Sequence, residues 1–247
     1  MREQEQVESF IDIHCHVMPG VDDGSKDPEM SLRMLKIARD NQIDTMILTP
    51  HNTQVHRCAS PEGIQRRLLQ LKEMCLKNGI SMHLYPGNEL YYDSTLPERL
   101  SAGQALTLAG SRYALIEFDP SSAYTYIRDG LNAVACEGFY PILAHVERYQ
   151  NMLGHVDRAQ ELVRAGIYIQ VNAGDVIPKM LRPDTRYVGK LLKEGLVHFV
   201  ATDAHRDSGR APYLEECAQY LSRKYEEDYV YDLLRGNAQK ILKDQKL

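Results

Sequence analysis

The segment that decides the fold reads Phe10-Ile11-Asp12-Ile13-His14-Cys15-His16, an apolar run that ends in two histidines separated by one residue. Side chains alternate between the two faces of an extended strand, so His14 and His16 point the same way and Cys15 points the opposite way. Both imidazoles can therefore reach one cation. The segment predicts a β-strand that presents paired metal ligands at its carboxyl end.

Similar apolar runs recur along the 247 residues, and longer amphipathic stretches separate them. This alternation is typical of parallel strands joined by crossover helices. Runs of nearly continuous apolar character indicate strands that are covered on both faces. Seven strands are predicted, at residues 10–14, 45–50, 82–85, 114–118, 141–144, 168–171 and 198–202.

Capping residues and glycines mark the helices between these strands. Asp27 can cap a helix that begins with Pro28, the position where a missing backbone N–H has no consequence. Pro61 begins a second helix in the same way, and Gly166 and Gly195 end helices just before strands. No linker, repeat or low-complexity tract interrupts the series. Residues 10–247 are therefore predicted to be one α/β barrel domain, preceded by a polar N-terminal extension at residues 1–9.

The composition excludes several classes of protein. With 43% hydrophobic and 26% charged residues the chain is an ordinary globular protein, and its net charge of −5 disfavours binding to nucleic acid. The first residues lack the features of a secretory signal, and every apolar run is far shorter than the roughly 20 residues of a spanning helix. Five cysteines without a C-x-x-C pair indicate free thiols in a reducing compartment. We expect a cytoplasmic protein with no membrane insertion.

Nearly every predicted strand ends in candidate metal ligands. The carboxyl ends of parallel barrel strands converge on one rim, so these residues become neighbours there. Carboxylates crowded together would repel one another unless cations compensated them. Imidazoles and carboxylates without thiolates suit manganese, zinc or iron, and the number of carboxylates favours manganese. The candidates are His14, His16, Asp22, Asp23, His51, Glu89, Glu117, His145, Asp203 and His205.

At this point the chain resembles the PHP (polymerase and histidinol phosphatase) family of metallo-phosphoesterases, because Asp12-Ile13-His14-Cys15-His16 is similar to its opening H-x-H motif. A narrower resemblance is to the capsule-biosynthesis tyrosine-protein phosphatase branch of that family. It extends from about residue 10 to the segment Gly236-Asn237-Ala238. The motifs that carry it are Asp22-Asp23-Gly24, Thr49-Pro50-His51, residues 113–118 (Tyr-Ala-Leu-Ile-Glu-Phe), residues 144–149 (Ala-His-Val-Glu-Arg-Tyr), and Thr202-Asp203-Ala204-His205 with Gly209-Arg210.

The resemblance implies a distorted seven-stranded barrel with a centre of three divalent metal ions. Manganese is expected, with iron or zinc as alternatives. Glu89 would bridge two of the ions. The implied ligand sets are His14, His16, Glu89 and Asp203 for the first ion; Glu89, Glu117 and His145 for the second; and Asp23, His51 and His205 for the third.

The mechanism that this centre implies is hydrolysis by a water whose deprotonation the cations favour, with no protein nucleophile. Arg148 and Arg210 are the candidates for binding the phosphate oxygens in bidentate fashion. A tyrosine leaving group has a pKa of about 10 and so needs less help from a general acid than an alkyl alcohol. The implied substrate is a phosphotyrosine protein, in particular a bacterial tyrosine kinase that controls capsular polysaccharide or exopolysaccharide synthesis.

Other functions stay open from the sequence. A small-molecule phosphatase of the histidinol-phosphatase type, or a nuclease relative, would share the metal centre, and a noncatalytic metal-binding regulator would be expected to have lost ligands. Cys217 and Arg223 have the C-x-x-x-x-x-R spacing of thiol-based phosphatases, but the segment has no glycine and is predicted to be helical. We interpret that spacing as coincidence, which a Cys217→Ala variant without activity would contradict. His56 is interpreted as a solvated loop residue, and no oligomeric interface can be assigned.

Overall fold

The computed structural model describes residues 9–53 and 59–247. Each of the seven predicted strands is present, and two short strands are added to them. The strands are β1 (Phe10–Cys15), β2 (Ile43–Leu48), β3 (His51–Asn52), β4 (His83–Pro86), β5 (Glu89–Tyr91), β6 (Tyr113–Glu117), β7 (Tyr140–Leu143), β8 (Tyr168–Asn172) and β9 (Phe199–Ala201). The two additions, β3 and β5, begin with His51 and Glu89, which the sequence analysis placed at the ends of longer strands.

The strands form two parallel sheets, in the orders β1-β2-β4 and β3-β5-β6-β7-β8-β9. The segment that follows β9 runs beside β1, where Asp203 N donates to His14 O over 2.8 Å and His16 N donates to Ala204 O over 2.8 Å. On the other side, Glu89 N donates to Pro50 O over 3.2 Å. The result is a mixed α/β fold of curved parallel sheets.

The helices begin where the sequence predicts. Asp27 accepts a hydrogen bond from Met30 N at the start of the first helix, and Pro61 begins the second. Gly166 and Gly195 have positive φ, at 83° and 66°, just before β8 and β9. No helix in residues 9–53 and 59–247 is both long and apolar enough to cross a membrane. The helices are α1 (Pro28–Asp40), α2 (Pro61–Lys77), α3 (Leu96–Ser101), α4 (Tyr124–Cys136), α5 (Val156–Arg164), α6 (Ala173–Val176), α7 (Pro183–Lys193), α8 (Glu215–Ser222), α9 (Glu227–Tyr231) and α10 (Asn237–Leu242), with a π-helical turn at Asp232–Gly236 and 3₁₀ turns at Leu108–Gly110 and Val146–Arg148.

Alternation along the strands divides each inner face into an apolar part and a polar part. On β6, Tyr113 and Leu115 pack in a buried cluster with Phe199 and Ala201 of β9. Two residues beyond Leu115, on the same face, lies Glu117. The amino ends of these strands therefore fill the core, and their carboxyl ends present polar side chains at one rim.

Candidate metal centre

The predicted ligands converge at the carboxyl ends of the strands. The donor atoms of eight of the ten candidates form three groups, and within each group every donor atom lies within 4.8 Å of every other. All of these donor atoms belong to imidazoles or carboxylates. The groups are His14, His16, Glu89 and Asp203; His16, Asp23, His51 and His205; and His51, Glu89 and Glu117.

The first group has the composition implied for the first ion. The Nε2 atoms of His14 and His16 lie 3.2 and 3.1 Å from Glu89 Oε2. The same two nitrogens lie 3.5 and 3.6 Å from Asp203 Oδ1. All four side chains are buried. The two histidines of β1 thus face the same pair of carboxylates, as the alternation of side chains predicts.

Glu89 connects this group to the residues implied for the second ion. Its Oε1 lies 2.7 Å from His145 Nε2, while Glu117 Oε2 lies 3.8 Å from that nitrogen. His51, which the resemblance assigns to the third ion, is also near, with Nδ1 at 2.8 Å from Glu117 Oε1 and 3.1 Å from Glu89 Oε2. His51 therefore lies between the second and third implied sets.

The residues implied for the third ion meet at the more exposed side of the centre. Asp23 Oδ1 lies 3.4 Å from His51 Nε2 and 3.4 Å from His205 Nε2. The Asp23 side chain is 64% exposed, whereas that of His205 is 4% exposed. His16 adjoins this group as well, because its ring centroid is 3.8 Å from that of His205.

Two of these residues have a backbone conformation that side chains other than glycine rarely adopt. The φ angles of His145 and Asp203 are 33° and 50°. Each residue follows the end of a strand, β7 or β9. The left-handed conformation costs roughly 1–2 kcal/mol for an L-residue and recurs at ligand sites, where the surrounding structure imposes it.

Gln170 and Asn172, on the polar part of β8, hold the ligands in place. Gln170 Oε1 lies 3.1 Å from His14 Nδ1 and accepts from His145 N over 2.8 Å. An amide oxygen only accepts, so the His14 proton lies on Nδ1 and Nε2 faces the centre. Asn172 donates to Asp203 Oδ2 over 3.0 Å. The sequence analysis missed both residues, although two polar side chains at alternate positions of an apolar strand signal a functional face.

Asp22 has a related role at the other side of the centre. Its Oδ2 lies 2.7 Å from His16 Nδ1 and accepts from His51 N over 3.1 Å. Asp22 therefore orients His16, while its neighbour Asp23 faces His51 and His205. Gly24 completes this loop and packs directly against the backbone of His16.

The charges of the centre shift the pKa values of its residues in opposite directions. Burial alone would lower the pKa of His16, but the carboxylates of Asp22 and Glu89 raise it to about 9. His51 behaves in the same way, since Glu117 and Glu89 outweigh burial and raise its pKa to about 9. Burial and the neighbouring His16 lower the pKa of His205 to about 4.

The donor set fits divalent cations. Burial would raise the pKa of Glu89, yet the surrounding histidines hold it well below its ordinary range, so this buried carboxylate is ionised. Asp203 Oδ1 is buried and has no hydrogen-bond partner among the described residues, and neither has His145 Nδ1. An ionised carboxylate oxygen left without a donor beside two imidazole nitrogens is what a cation ligand requires.

Arg148 and Arg210 lie at the edge of the first group. Both donate to Asp203 Oδ2, Arg210 over 2.9 Å. Together with Asp203 they line a cavity of about 760 Å³. Residues of the segment 174–184 line the same cavity. Both guanidinium groups are partly exposed, which leaves them accessible from the cavity.

The other residues that the sequence analysis considered lie apart from the ligand groups. Asp12 accepts from Thr202 N and His14 N, so it joins β1 to the segment after β9 and has a structural role. Arg206 is exposed. His56 lies outside the described residues. Cys217 is buried in α8, and burial raises the pKa of its thiol, which agrees with the interpretation of its spacing to Arg223 as coincidence.

Comparisons with known proteins identify the family of the chain. A family model described as "Capsular polysaccharide synthesis, CpsB/CapC" matches residues 10–243. The tyrosine-protein phosphatase CpsB of Streptococcus pneumoniae is 32% identical over 241 residues, which cover 96% of this chain and 99% of that protein. The tyrosine-protein phosphatase YwqE of Bacillus subtilis (strain 168) is 29% identical over 238 residues, which cover 96% and 93%.

A solved structure gives the same result for the fold. The crystal structure described as "YwqE from Bacillus subtilis and CpsB from Streptococcus pneumoniae, unique metal-dependent tyrosine phosphatases" matches with a TM-score of 0.90 at 29% identity, over 96% of each chain. The family match contains every predicted ligand and both arginines. The branch that the sequence motifs resemble is therefore confirmed, and the chain belongs to the CpsB/CapC family of capsular polysaccharide synthesis.

Proposed function

We propose that this chain hydrolyses phosphotyrosine on proteins with divalent cations held by the centre described above. The enzyme class follows from the family, because relatives that match nearly the whole chain are named tyrosine-protein phosphatases. The observation that carries the proposal is the gathering of five imidazoles and four carboxylates in a chain that matches metal-dependent tyrosine phosphatases over 96% of its length. The chain is thus a phosphoric monoester hydrolase.

The number of ions and their ligands are part of the proposal. Three ions account for the three groups of donor atoms, which contain eight of the nine residues, and for the contact of the ninth, His145, with Glu89. The assignment is His14, His16, Glu89 and Asp203 for the first ion; Glu89, Glu117 and His145 for the second; and Asp23, His51 and His205 for the third. Manganese is favoured by the carboxylates, and iron or zinc would also accept this donor set. We also propose that the two sheets form one distorted seven-stranded barrel and that residues 10–247 are a single domain.

The residues around the proposed ligands have two roles in catalysis, which are to orient the ligands and to bind the phosphate. Divalent cations supply Lewis-acid stabilisation of phosphate charge and make a water acidic near neutral pH. Gln170 and Asp22 fix the tautomers of His14 and His16, which keeps each Nε2 directed at the centre. Arg148 and Arg210 already donate to a carboxylate oxygen, and we propose that they donate to the phosphate oxygens of the substrate in the same way.

The substrate that we propose is a phosphotyrosine protein, in particular a tyrosine kinase of capsular polysaccharide or exopolysaccharide synthesis. The capsule connection comes from the family, and the kinase is the natural phosphotyrosine protein of such a system. The cavity beside Asp203 is open to the surface, which suits a phosphate carried on a protein. A cytoplasmic location remains a prediction from the sequence.

The decisive test joins elemental analysis with a panel of substrates. With manganese, the purified chain should hydrolyse phosphotyrosine peptides with a far higher kcat/KM than histidinol phosphate. The reverse preference would contradict the substrate assignment and leave the metal centre standing. His14→Ala and Asp203→Ala should each lower the metal content together with activity, whereas His83→Ala, which changes an exposed histidine of β4, should lower neither. Unchanged metal stoichiometry in His14→Ala and Asp203→Ala would contradict the first ligand set.

A further inference from the structure

A tight turn at residues 179–182 borders the cavity that contains Arg148 and Arg210. Arg182 N donates to Lys179 O over 3.2 Å, which closes the turn. The buried Thr185 fixes both of its ends, because Thr185 Oγ1 accepts from Lys179 N over 3.1 Å and donates to Arg182 O over 3.1 Å. The two residues at the centre of the turn, Met180 and Leu181, are held by their backbone alone.

These two central residues are unusual in their exposure. Met180 is 91% exposed and Leu181 is 89% exposed, more than Leu76 at 80% or Leu69 at 62% on α2. Single exposed apolar residues are ordinary. Two adjacent apolar side chains at nearly full exposure form a surface that can contact an apolar group of a partner. The most exposed large apolar side chains of the described residues therefore lie at the edge of one cavity.

The conformation of Leu181 adds an independent observation. Its φ is 66°, a left-handed value that the third position of a β-turn has in types II and I′, where glycine or asparagine usually supplies it. Leucine in this conformation is strained relative to a residue in an ordinary conformation. Such strain is typical of segments that bind a ligand. Position 181 thus carries a large apolar side chain although its backbone conformation favours glycine.

The residues on either side connect the turn to the candidate active site. Lys179 and Arg182 line the same cavity as Arg148, Asp203 and Arg210. The guanidinium of Arg182 is already paired with Asp184 and Asp175. The exposed ammonium of Lys179 donates to Gly174 O over 2.7 Å and acts on Asp175 only through its charge, with no carboxylate of the described residues at ion-pair distance. Lys179 is therefore the cation of the turn that remains open to an acidic partner.

We propose that the 179–182 turn binds the polypeptide around the phosphotyrosine, with Met180 and Leu181 contacting an apolar side chain and Lys179 pairing with a carboxylate of that segment. The inference rests on the proposed function, since it assigns the protein part of the same substrate. A phosphate bound at Arg148 and Arg210 would place its attached chain in the cavity that this turn borders. The turn selects phosphotyrosine within an apolar and acidic stretch over phosphotyrosine alone.

The test compares three substrates that share the phosphoryl chemistry. They are p-nitrophenyl phosphate, a phosphotyrosine peptide flanked by glycine and serine, and a phosphotyrosine peptide flanked by leucine and glutamate. The double variant Met180→Ser and Leu181→Ser should lower kcat/KM for the leucine and glutamate peptide about tenfold, mainly through KM, because two apolar contacts are lost. Hydrolysis of the other two substrates should change less than about twofold.

Two further variants separate docking from folding. Leu69→Ser with Leu76→Ser removes exposed leucines from α2 and should leave the kinetics of all three substrates unchanged. Leu181→Gly removes the side chain and relieves the backbone strain, so it should keep or raise the Tm and still lower kcat/KM for the leucine and glutamate peptide.

Each outcome has a distinct meaning. An equal loss for all three substrates would overturn the proposal, because the turn would then support the site and not the peptide. Unchanged kinetics for all three would overturn it as well. If the unmodified protein hydrolyses p-nitrophenyl phosphate but neither peptide, the proposed function itself fails, and that result is distinguishable from failure of the turn alone.

Discussion

One amide side chain, that of Gln170, fixes the positions of two proposed ligands, His14 on β1 and His145 just after β7. Gln170 accepts from the imidazole of His14 and from the backbone N–H of His145, and it donates to Asn172 over 3.0 Å. Asn172 in turn donates to Asp203. A chain of polar side chains on one face of β8 therefore reaches three of the proposed ligands. Such partners set the orientation and tautomer of a metal ligand.

Replacing Gln170 with leucine should weaken the metal centre without removing a ligand. Gln170→Leu leaves His14 free to rotate and to change tautomer, so we expect metal affinity to fall about 10- to 100-fold. Competition with a fluorescent chelator measures that affinity directly. Gln219→Leu, which changes an exposed glutamine on α8, is the matched control and should bind metal like the unmodified protein. Equal affinity in the two variants would show that Gln170 does not orient His14.

At the scale of loops, Gly24 determines how closely the segment after β1 approaches the centre. A Cβ at this position would lie 2.2 Å from His16 O and 2.4 Å from His16 Cβ. The backbone would have to move, and Asp22, which bonds His16 Nδ1 and His51 N, would move with it. Glycine is required at position 24 because a side chain would collide with His16, and not because the backbone has a positive φ.

Gly24→Ala should therefore reduce stability and metal content together. The overpacked contact costs about 1–3 kcal/mol in the free energy of unfolding. Urea denaturation and elemental analysis measure the two effects. Gly189→Ala in α7 is the control, because its Cβ would meet no atom within 4 Å and alanine favours the helix by roughly 1 kcal/mol. Full metal content in a destabilised Gly24→Ala protein would mean that the loop does not position Asp22 for the centre.

At the scale of strands, His198 joins β9 to β8 and makes this junction sensitive to acid. The backbone N–H of His198 donates to Ile169 O over 2.9 Å, and the imidazole Nδ1 of His198 accepts from Ile169 N over 3.1 Å. Burial lowers the pKa of His198 to about 4. The folded state thus holds the imidazole neutral while the unfolded chain binds a proton near pH 6.5, so this contribution to stability is complete above pH 6.5 and is lost as the pH falls toward 4.

His198→Gln should remove that dependence, because glutamine can accept the same hydrogen bond and does not titrate. Relative to the variant, the unmodified protein should lose about 2 kcal/mol of unfolding free energy between pH 7.5 and pH 5. Denaturant titrations of both proteins at the two pH values give the difference. A constant difference between the proteins would mean that the pKa of His198 is not lowered by folding.

Strands and helices were predictable where local signals are strong. Asp27 with Pro28, and the apolar runs, act through caps and periodicity within a few neighbouring residues. The two-residue β3 and the three-residue β5 carry no such signal, since their pairing depends on which segments the fold brings together. Glu89 was for this reason expected at the end of the third predicted strand, whereas it begins the separate strand β5.

At the scale of the whole molecule, the centre joins residues from His14 to His205, which no local pattern connects. The sequence predicted the candidate ligands because each follows an apolar strand, and the parallel arrangement brings strand ends to one rim. It did not predict that His51 would lie between two ligand sets, because that depends on the side chains of Glu89 and Glu117 in three dimensions. Nor did it predict the turn at residues 179–182, since exposure and a positive φ are properties of the folded chain.

Metal removal should consequently destabilise the entire fold and not only the rim. Ions that bind the native state alone add about 4 kcal/mol when present at a thousand times their dissociation constant. For a chain of this length that corresponds to a rise in Tm on the order of 10 °C. Calorimetry before and after chelation, followed by readdition of manganese, measures the change. In Asp203→Ala the rise should be smaller, since this carboxylate touches both histidines of β1. An identical Tm with and without metal would mean that the ions do not bind the native state in preference to the unfolded chain, which would contradict the proposed centre.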